Sequence, residues 1–465
     1  MTAAGSFGQQ FASTASKFTD STLHLHRKVK VGILGATGAV GQRFVSLLHG
    51  HPYFRVAAVG ASDQSAGKAY GDVVAWRLDA ETPLPDEIRG MTVIRCVPDL
   101  FKEKGCGIIF SALDVTAADE LESVFAASGF MVFSNAKSHR MDADVPILLP
   151  YVNAPLLEVV RSQPHYSKTG GAIVTNANCA STGISVALKP LWDKWGIARL
   201  TIATLQAISG AGFPGMSAMD MVDNVIPHIA GEEEKLEREP QKILGTLSDG
   251  CTRINSATFE TVAMCHRVPV TDGHIATIVT VMCYCFRTYL DADKACVNFC
   301  SRMQVTVDFP PGTFPDSADS DTVSAQVSGA LRGFRPPPIV ADLPSCPDEV
   351  IFVCEHPHRP QPRIDRLRGE GMTVSVGPVK AKFVALSSTW TAKFTTLVHN
   401  TLLGAAGCSI LNAELALKSG LVLSPDGTSR VLEPPAAAAM NTRQVLQEND
   451  RGVKEPSDSV LLASN

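Results

Sequence analysis

Cys179 lies in Thr175-Asn176-Ala177-Asn178-Cys179-Ala180-Ser181-Thr182, where an apolar run at 172–174 gives way to small residues and then to a helix-like run at 184–188. A thiol at a helix N-terminus feels unpaired backbone N–H groups and the positive end of the helix dipole, which predicts a lowered pKa and an available thiolate. A buried structural cysteine is the competing reading, because a free thiol also packs as a small hydrophobe. The second chemical signal is Gly35-Ala36-Thr37-Gly38-Ala39-Val40-Gly41, which follows a strand-like run at 29–34 and opens an apolar helical stretch at 40–48. With a further strand at 55–60, the spacing GxxGxxG sits in the βαβ context of a dinucleotide fingerprint. The glycines allow a tight turn and close backbone approach, and the helix N-terminus receives the pyrophosphate. An ordinary glycine-rich loop is the alternative.

Further motifs follow in order: Ser134-Asn135-Ala136 with Arg140, Gln206-Ala207-Ile208-Ser209-Gly210-Ala211-Gly212, Gly231-Glu232-Glu233-Glu234-Lys235, Arg267 with His274, Arg359-Pro360-Gln361-Pro362-Arg363, and Gly404-Ala405-Ala406-Gly407. Taken together, from about Lys28 to Leu417, the chain resembles aspartate-semialdehyde dehydrogenase, in particular its archaeal and fungal branch. The resemblance implies reductive dephosphorylation of aspartyl-β-phosphate to aspartate semialdehyde, within aspartate-family amino-acid biosynthesis towards lysine, threonine and methionine. It also implies a Rossmann-type domain, an α+β catalytic and dimerisation domain with a mainly antiparallel sheet, and a homodimer or homotetramer.

The chemistry runs in two halves: an acyl phosphate acylates Cys179, and NADPH reduces the thioester. His274 is expected to remove and return the proton, since an imidazole pKa near 6.5 suits both tasks. Arg267 is expected to hold the substrate carboxylate by a bidentate fork. By resemblance, Glu232 pairs with the ammonium while Lys235 and Arg140 form the phosphate site; without it, the acidic run reads as a solvated helix start. Gln206 ends a strand before a glycine-flanked turn and is placed to orient substrate or polarise the thioester carbonyl. Asn178 is expected to line the same pocket.

For the cofactor, Gly35, Thr37, Gly38, Ala39, Val40 and Gly41 form the phosphate turn, and Asn400 is expected beside it. After the second strand, Ala61-Ser62-Asp63-Gln64-Ser65-Ala66-Gly67-Lys68 has Gln64 where relatives usually carry an arginine that reads the 2′-phosphate of NADP. Ser62, Ser65 and Lys68 remain to bind phosphate, while Asp63 stands where an acid would hold the ribose hydroxyls of NAD. NADP is the expected cofactor, with NAD the alternative. Leu403 is a second departure, where relatives often have arginine.

Alternation of strands at 29–34, 55–60, 108–112 and 130–133 with helical patterns such as 117–127 predicts a parallel sheet covered by helices. After Cys179, longer alternating strands at 200–207, 258–268 and 274–286 predict a largely antiparallel sheet. Residues 405–417 are helical and by resemblance return to the first domain. The expected organisation is an extension at 1–27, a discontinuous dinucleotide-binding domain at 28–177 and 398–423, a catalytic domain at 178–397, and a tail at 424–465. Within the second domain, 310–344 reads as an extended, solvated insertion from its proline- and aspartate-rich composition, and 388–397 also reads as inserted. A composition of 45% hydrophobic and 19% charged residues with net charge -5 disfavours nucleic-acid binding. No apolar stretch reaches the roughly 20 residues of a membrane helix. Twelve cysteines point to reduced thiols in a cytosol-like compartment, with organellar targeting by the extension as the alternative. Cys283, Cys285, Cys296 and Cys300 lack a second ligand pair at zinc spacing, so no metal is expected. Competing functions are a malonyl-CoA reductase-like acyl reductase and a non-catalytic nucleotide-binding or thiol-sensing protein.

Overall fold

Short, mainly apolar strands set the first layer. A computed structural model describes residues 28–78, 82–277, 305–385 and 387–422. Strands β1 (Val29–Leu34), β2 (Phe54–Ala61), β3 (Ile94–Arg95), β4 (Ile108–Ser111), β5 (Met131–Ser134) and β6 (Ala172–Thr175) form a parallel sheet of order β3-β2-β1-β4-β5-β6. Every residue of β4, β5 and β6 is buried, as expected of strands covered on both faces. Helix α1 (Ala39–Leu48) turns Phe44, Val45 and Leu48 inward, and α2 (Val115–Ala127) starts at Asp114, whose side chain accepts from the N–H groups of Thr116 and Ala117.

The nucleophile turn follows β6 and opens α3 (Cys179–Trp195), which leads into the second sheet. Its strands are β7 (Arg199–Gln206), β8 (Glu260–Arg267), β9 (His274–Thr277), β10 (Val305–Asp308), β11 (Ile351–Val353), β12 (Val374–Val376), β13 (Lys380–Val384) and β14 (Thr389–Val398). The order is β8-β7-β9-β14-β12-β11, with β10 also between β7 and β14, and β13 on β14. The pairings are mainly antiparallel, but β8 lies parallel to β7, which sets Gln206 beside Arg267. Helix α4 (Glu232–Ile243) packs on β8 and α3.

Residues 388–397, read from the sequence as inserted, run along β14, which pairs with four other strands and alternates inward Trp390, Ala392 and Phe394 with partly exposed neighbours. One sequence expectation is corrected. Residues 310–344 are not an extended loop throughout: helix α5 (Ser320–Arg332) buries Val323, Val327 and Leu331, a four-residue spacing that the flanking prolines obscure. The remainder of the strand expected at 274–286, the cysteines at 283–300 and both arms lie outside the described residues.

Helix α6 (Gly407–Lys418) follows a wider helical turn at Leu402–Ala406 and is buried along most of its length. It is hydrogen-bonded to the first layer: Asn412 Nδ2 donates to Asn176 Oδ1 at 2.8 Å and to the Leu148 carbonyl at 3.2 Å. Asn176 Nδ2 donates to Ser409 Oγ and the Ala405 carbonyl, and Tyr166 Oη donates to the Leu421 carbonyl. Buried Glu414 meets His51 Nε2 and accepts from the Ser345 hydroxyl and N–H.

Candidate active site

Asn178 caps α3 and fixes its first turn. Its Oδ1 accepts from the N–H groups of Ala180 at 3.0 Å and Ser181 at 3.3 Å, while its Nδ2 donates to Glu232 Oε2 at 2.9 Å. Cys179 is therefore the first helical residue, as the sequence predicts. Gly404 backs the turn: a Cβ there would stand 3.0 Å from Cys179 Cβ and 3.2 Å from its Cα. A side chain at 404 would crowd the nucleophile.

Facing the sulfur is His274, the first residue of β9 and 1% exposed, with Nε2 3.1 Å from Cys179 Sγ. The Ala207 N–H donates to Nδ1 at 3.0 Å, which places the proton of the neutral ring on Nε2, toward the sulfur. Burial lowers the imidazole to about 3, and the Arg267 charge acts in the same direction. Burial also pushes the Cys179 thiol up to about 12, aided by the Glu232 carboxylate and opposed by Lys235, Arg140 and Arg267. Two expectations change accordingly. The helix N-terminus does not by itself yield a resting thiolate, and the ring is not poised near 6.5; the low-dielectric setting favours the neutral thiol and neutral imidazole.

The polar wall comes from β7, β8 and α4. Gln206 Nε2 donates to Glu232 Oε2 and to Thr204 Oγ1, both at 3.3 Å. Arg267 is buried, with Nη1 donating to the Ala207 carbonyl at 2.8 Å and Nε left without a partner among the described residues. Gly210 makes room for both functional groups, since a Cβ would lie 2.9 Å from Arg267 Nη1 and 3.1 Å from His274 Nε2. Burial works to raise Glu232, but the charge and hydrogen bond of Lys235, with hydrogen bonds from Asn178 and Gln206, hold it below the usual carboxylate value. Arg140 is buried too, with Nη1 donating to Glu239 Oε1 at 2.9 Å and Nη2 to the Asn135 carbonyl at 3.0 Å; its Nε has no partner among the described residues. The structure thus gathers Cys179, His274, Asn178, Gln206, Arg267, Glu232, Lys235 and Arg140 around one turn. Glu239 belongs to the same network and is hidden in sequence among the other acids of α4.

The glycine turn lies at the carboxyl end of β1. Gly35 has φ +69°, and a Cβ there would be 2.5 Å from the Ala112 carbonyl oxygen; one on Gly41 would be 2.3 Å from the Gly35 carbonyl oxygen. These glycines are required by close backbone approach. Gly38 caps α1 without a side-chain acceptor, and no acid lies in the first turn, so the leading N–H groups, with Ala39 and Val40, suit an anionic phosphate; Thr37 completes the turn. Ser62 is exposed and Ser65 half-buried on the turn after β2, while Lys68 Nζ donates to the Gln64 carbonyl at 2.8 Å. Arg95, not considered in the sequence reading, ends β3 in register with Ala61 and is exposed, and its side chain has no hydrogen bond or ion pair among the described residues. Asn400 lies behind His274, its Oδ1 accepting from the Gly273 N–H and its Nδ2 donating to Ser209 Oγ. Both ends of that amide are used inside the fold.

The NAD-binding domain profile of semialdehyde dehydrogenases matches residues 30–159, and their dimerisation-domain profile matches 188–329. Over 397 residues the chain is 40% identical to the aspartate-semialdehyde dehydrogenase of Schizosaccharomyces pombe, spanning 84% of this chain and 99% of that one. The chain belongs to the aspartate-semialdehyde dehydrogenase family. It is also 37% identical over 395 residues to the aspartate-semialdehyde dehydrogenase of Archaeoglobus fulgidus, spanning 85% of this chain and 100% of the relative. The crystal structure of aspartate semialdehyde dehydrogenase with NADP from Candida albicans superposes with a TM-score of 0.69 at 37% identity, covering 83% of this chain and 98% of that one. The fungal and archaeal character read from the motifs is thus matched across the whole aspartate-semialdehyde dehydrogenase length.

Proposed function

We propose that the chain reduces aspartyl-β-phosphate to aspartate semialdehyde with release of inorganic phosphate, through a thioester on Cys179, in aspartate-family amino-acid biosynthesis. The observation that carries this reading is the 3.1 Å contact between Cys179 Sγ and His274 Nε2 at the head of α3. In the first half, the Sγ–C bond forms, the C–O bond to phosphate breaks, and the thiol proton leaves on the phosphate. The His274 Nε2–H and the Cys179 N–H donate to the oxygen on which charge develops, and Gln206 orients the carbonyl. Arg267 takes the α-carboxylate with its fork, and its unpartnered Nε supports that role. Glu232 receives the ammonium, and Lys235 with Arg140 serves the phosphate. The presence of this ammonium-and-carboxylate wall favours an amino-acid substrate over an acyl-CoA.

NADPH, when bound, supplies the hydride that reduces the thioester. The turn Gly35 to Gly41 holds its pyrophosphate, and Ser62, Ser65 and Lys68 lie where the adenosine ribose falls. NADP is the cofactor this reading assigns, with NAD the alternative; Asn400 acts by holding Gly273 and Ser209 beside it. We take 28–177 with 398–423 as the dinucleotide-binding domain and 178–397 as the catalytic and dimerisation domain. We further assign a homodimer or homotetramer: Phe213, Met216, Met219, Val222 and Val225, with Val262 and Met264 on edge strand β8, are exposed. A cytoplasmic location fits the eight free cysteines among the described residues. Among those residues no helix is long and apolar enough to cross a membrane.

The deciding assay is phosphate-dependent reduction of NADP by aspartate semialdehyde, run beside NAD and beside other aldehydes. Turnover that needs both phosphate and this aldehyde is expected; phosphate-independent turnover, or a better substrate lacking the amino group, would sink the reading.

A further inference from the structure

We propose that Glu239 is a positioning residue, whose carboxylate couples the phosphate-site arginine, Arg140, to the backbone of the turn that carries Cys179. The proposal rests on the function given above. Glu239 lies seven residues after Glu232, two turns along the same face of α4, and is 3% exposed. One oxygen accepts from Arg140 Nη1 at 2.9 Å, and the other accepts from the Asn178 N–H at 2.6 Å. Asn178 in turn caps α3 and binds Glu232, so the residue before the nucleophile is held at its backbone by one acid of α4 and at its side chain by another.

Arg140 is fixed from both directions by this helix. One turn beyond Glu239, buried Lys242 donates to the carbonyls of Arg140 at 2.7 Å, Asp142 at 2.6 Å and Val145 at 2.8 Å, anchoring the loop behind the guanidinium. Both ends of the Glu239 bridge are parts of the proposed reaction machinery. A phosphate drawn to Arg140 therefore meets a guanidinium that Glu239 holds in place, and the same carboxylate fixes the Asn178 backbone beside the nucleophile. Removing the carboxylate's charge leaves Arg140 buried and less compensated, which favours negative charge on the nearby sulfur.

The test uses the full-length chain and three readouts. Relative to wild type, Glu239→Gln should lower kcat per alkylatable Cys179 by 10-fold or more and raise KM for inorganic phosphate several-fold. Without any substrate, the pH profile of Cys179 alkylation by iodoacetamide should move to lower pH by about one unit. Arg140→Ala and Glu239→Gln should be non-additive in phosphate KM. Ile243→Ala, which truncates a buried apolar side chain of the same helix, serves as the packing control: it should cost thermal stability yet leave the alkylation profile in place. If Glu239→Gln does not fold, Glu239→Asp, which keeps the charge and shortens the reach, carries the same measurements. A folded Glu239 variant with wild-type kcat, phosphate KM and alkylation profile overturns the proposal, as does strict additivity with Arg140→Ala. Because alkylation needs no substrate, a shifted profile in a protein inactive on aspartate semialdehyde supports the coupling while refuting the function.

Discussion

Burial holds Cys179 and His274 in their neutral forms, since it opposes both the thiolate and the imidazolium. Alkylation of the free enzyme by iodoacetamide should therefore keep rising above pH 9, towards the thiol's value of about 12, rather than levelling off as for an activated thiolate. Cys179→Ser should fold normally and lose nearly all turnover, and full activity in that variant would remove the thioester mechanism. The imidazole also has a stability consequence whose sign is fixed. Its folded value of about 3 lies below the usual 6.5, so its contribution is complete above pH 6.5 and is lost as pH falls from 6.5 towards 3. At about 1.4 kcal/mol per unit this is on the order of 5 kcal/mol. Urea unfolding of His274→Asn between pH 7 and 4 should accordingly show a shallower loss of stability than wild type; parallel curves would refute the burial argument. Arg267→Leu should act differently, raising KM for the aldehyde through loss of a charge-assisted contact worth roughly 1.5 to 3 kcal/mol.

The elements explain why some of this was readable and some was not. β1 is found at the limits its sequence predicts, because an apolar run interrupted only by Lys30 and Gly32 ends at Gly35, which close packing demands. Cys179 and His274 were legible because each follows a glycine or a capping asparagine at a strand–helix or turn–strand boundary. Glu239 was not, since an acid on a charged helix reads as solvated until the fold shows what covers it. The parallel pairing of β7 with β8, which sets Gln206 beside Arg267, joins strands distant in sequence and leaves no local signal. Arg95 was missed for the same reason: only the β2–β3 register brings it beside Ala61. That register makes a cofactor prediction. Arg95→Ala should weaken binding of 2′,5′-ADP more than of 5′-AMP, and Gln64→Arg should sharpen NADP over NAD in kcat/KM. Equal losses for both nucleotides would show that Arg95 does not read the 2′-phosphate, and no gain in the second variant would leave the ribose to Asp63.

At the scale of the whole molecule, the exposed apolar side chains Val262 and Met264 on edge strand β8 test the proposed assembly. Val262→Glu combined with Met264→Glu should reduce the mass measured by light scattering from that of the assembly to that of one chain, with folding retained. An unchanged mass would move the interface elsewhere. The buried ties of α6 bear on how the chain comes into being. Asn176 waits for Asn412, 236 residues further along, and the Leu148 carbonyl and His51 Nε2 likewise find their side-chain partners in α6. At roughly 5 to 20 residues per second of synthesis, Asn176 is made some 12 to 50 seconds before Asn412. Throughout that interval the nascent sheet shows apolar surface and unpaired amides to the surrounding medium, so the early half is first protected from aggregation when α6 arrives.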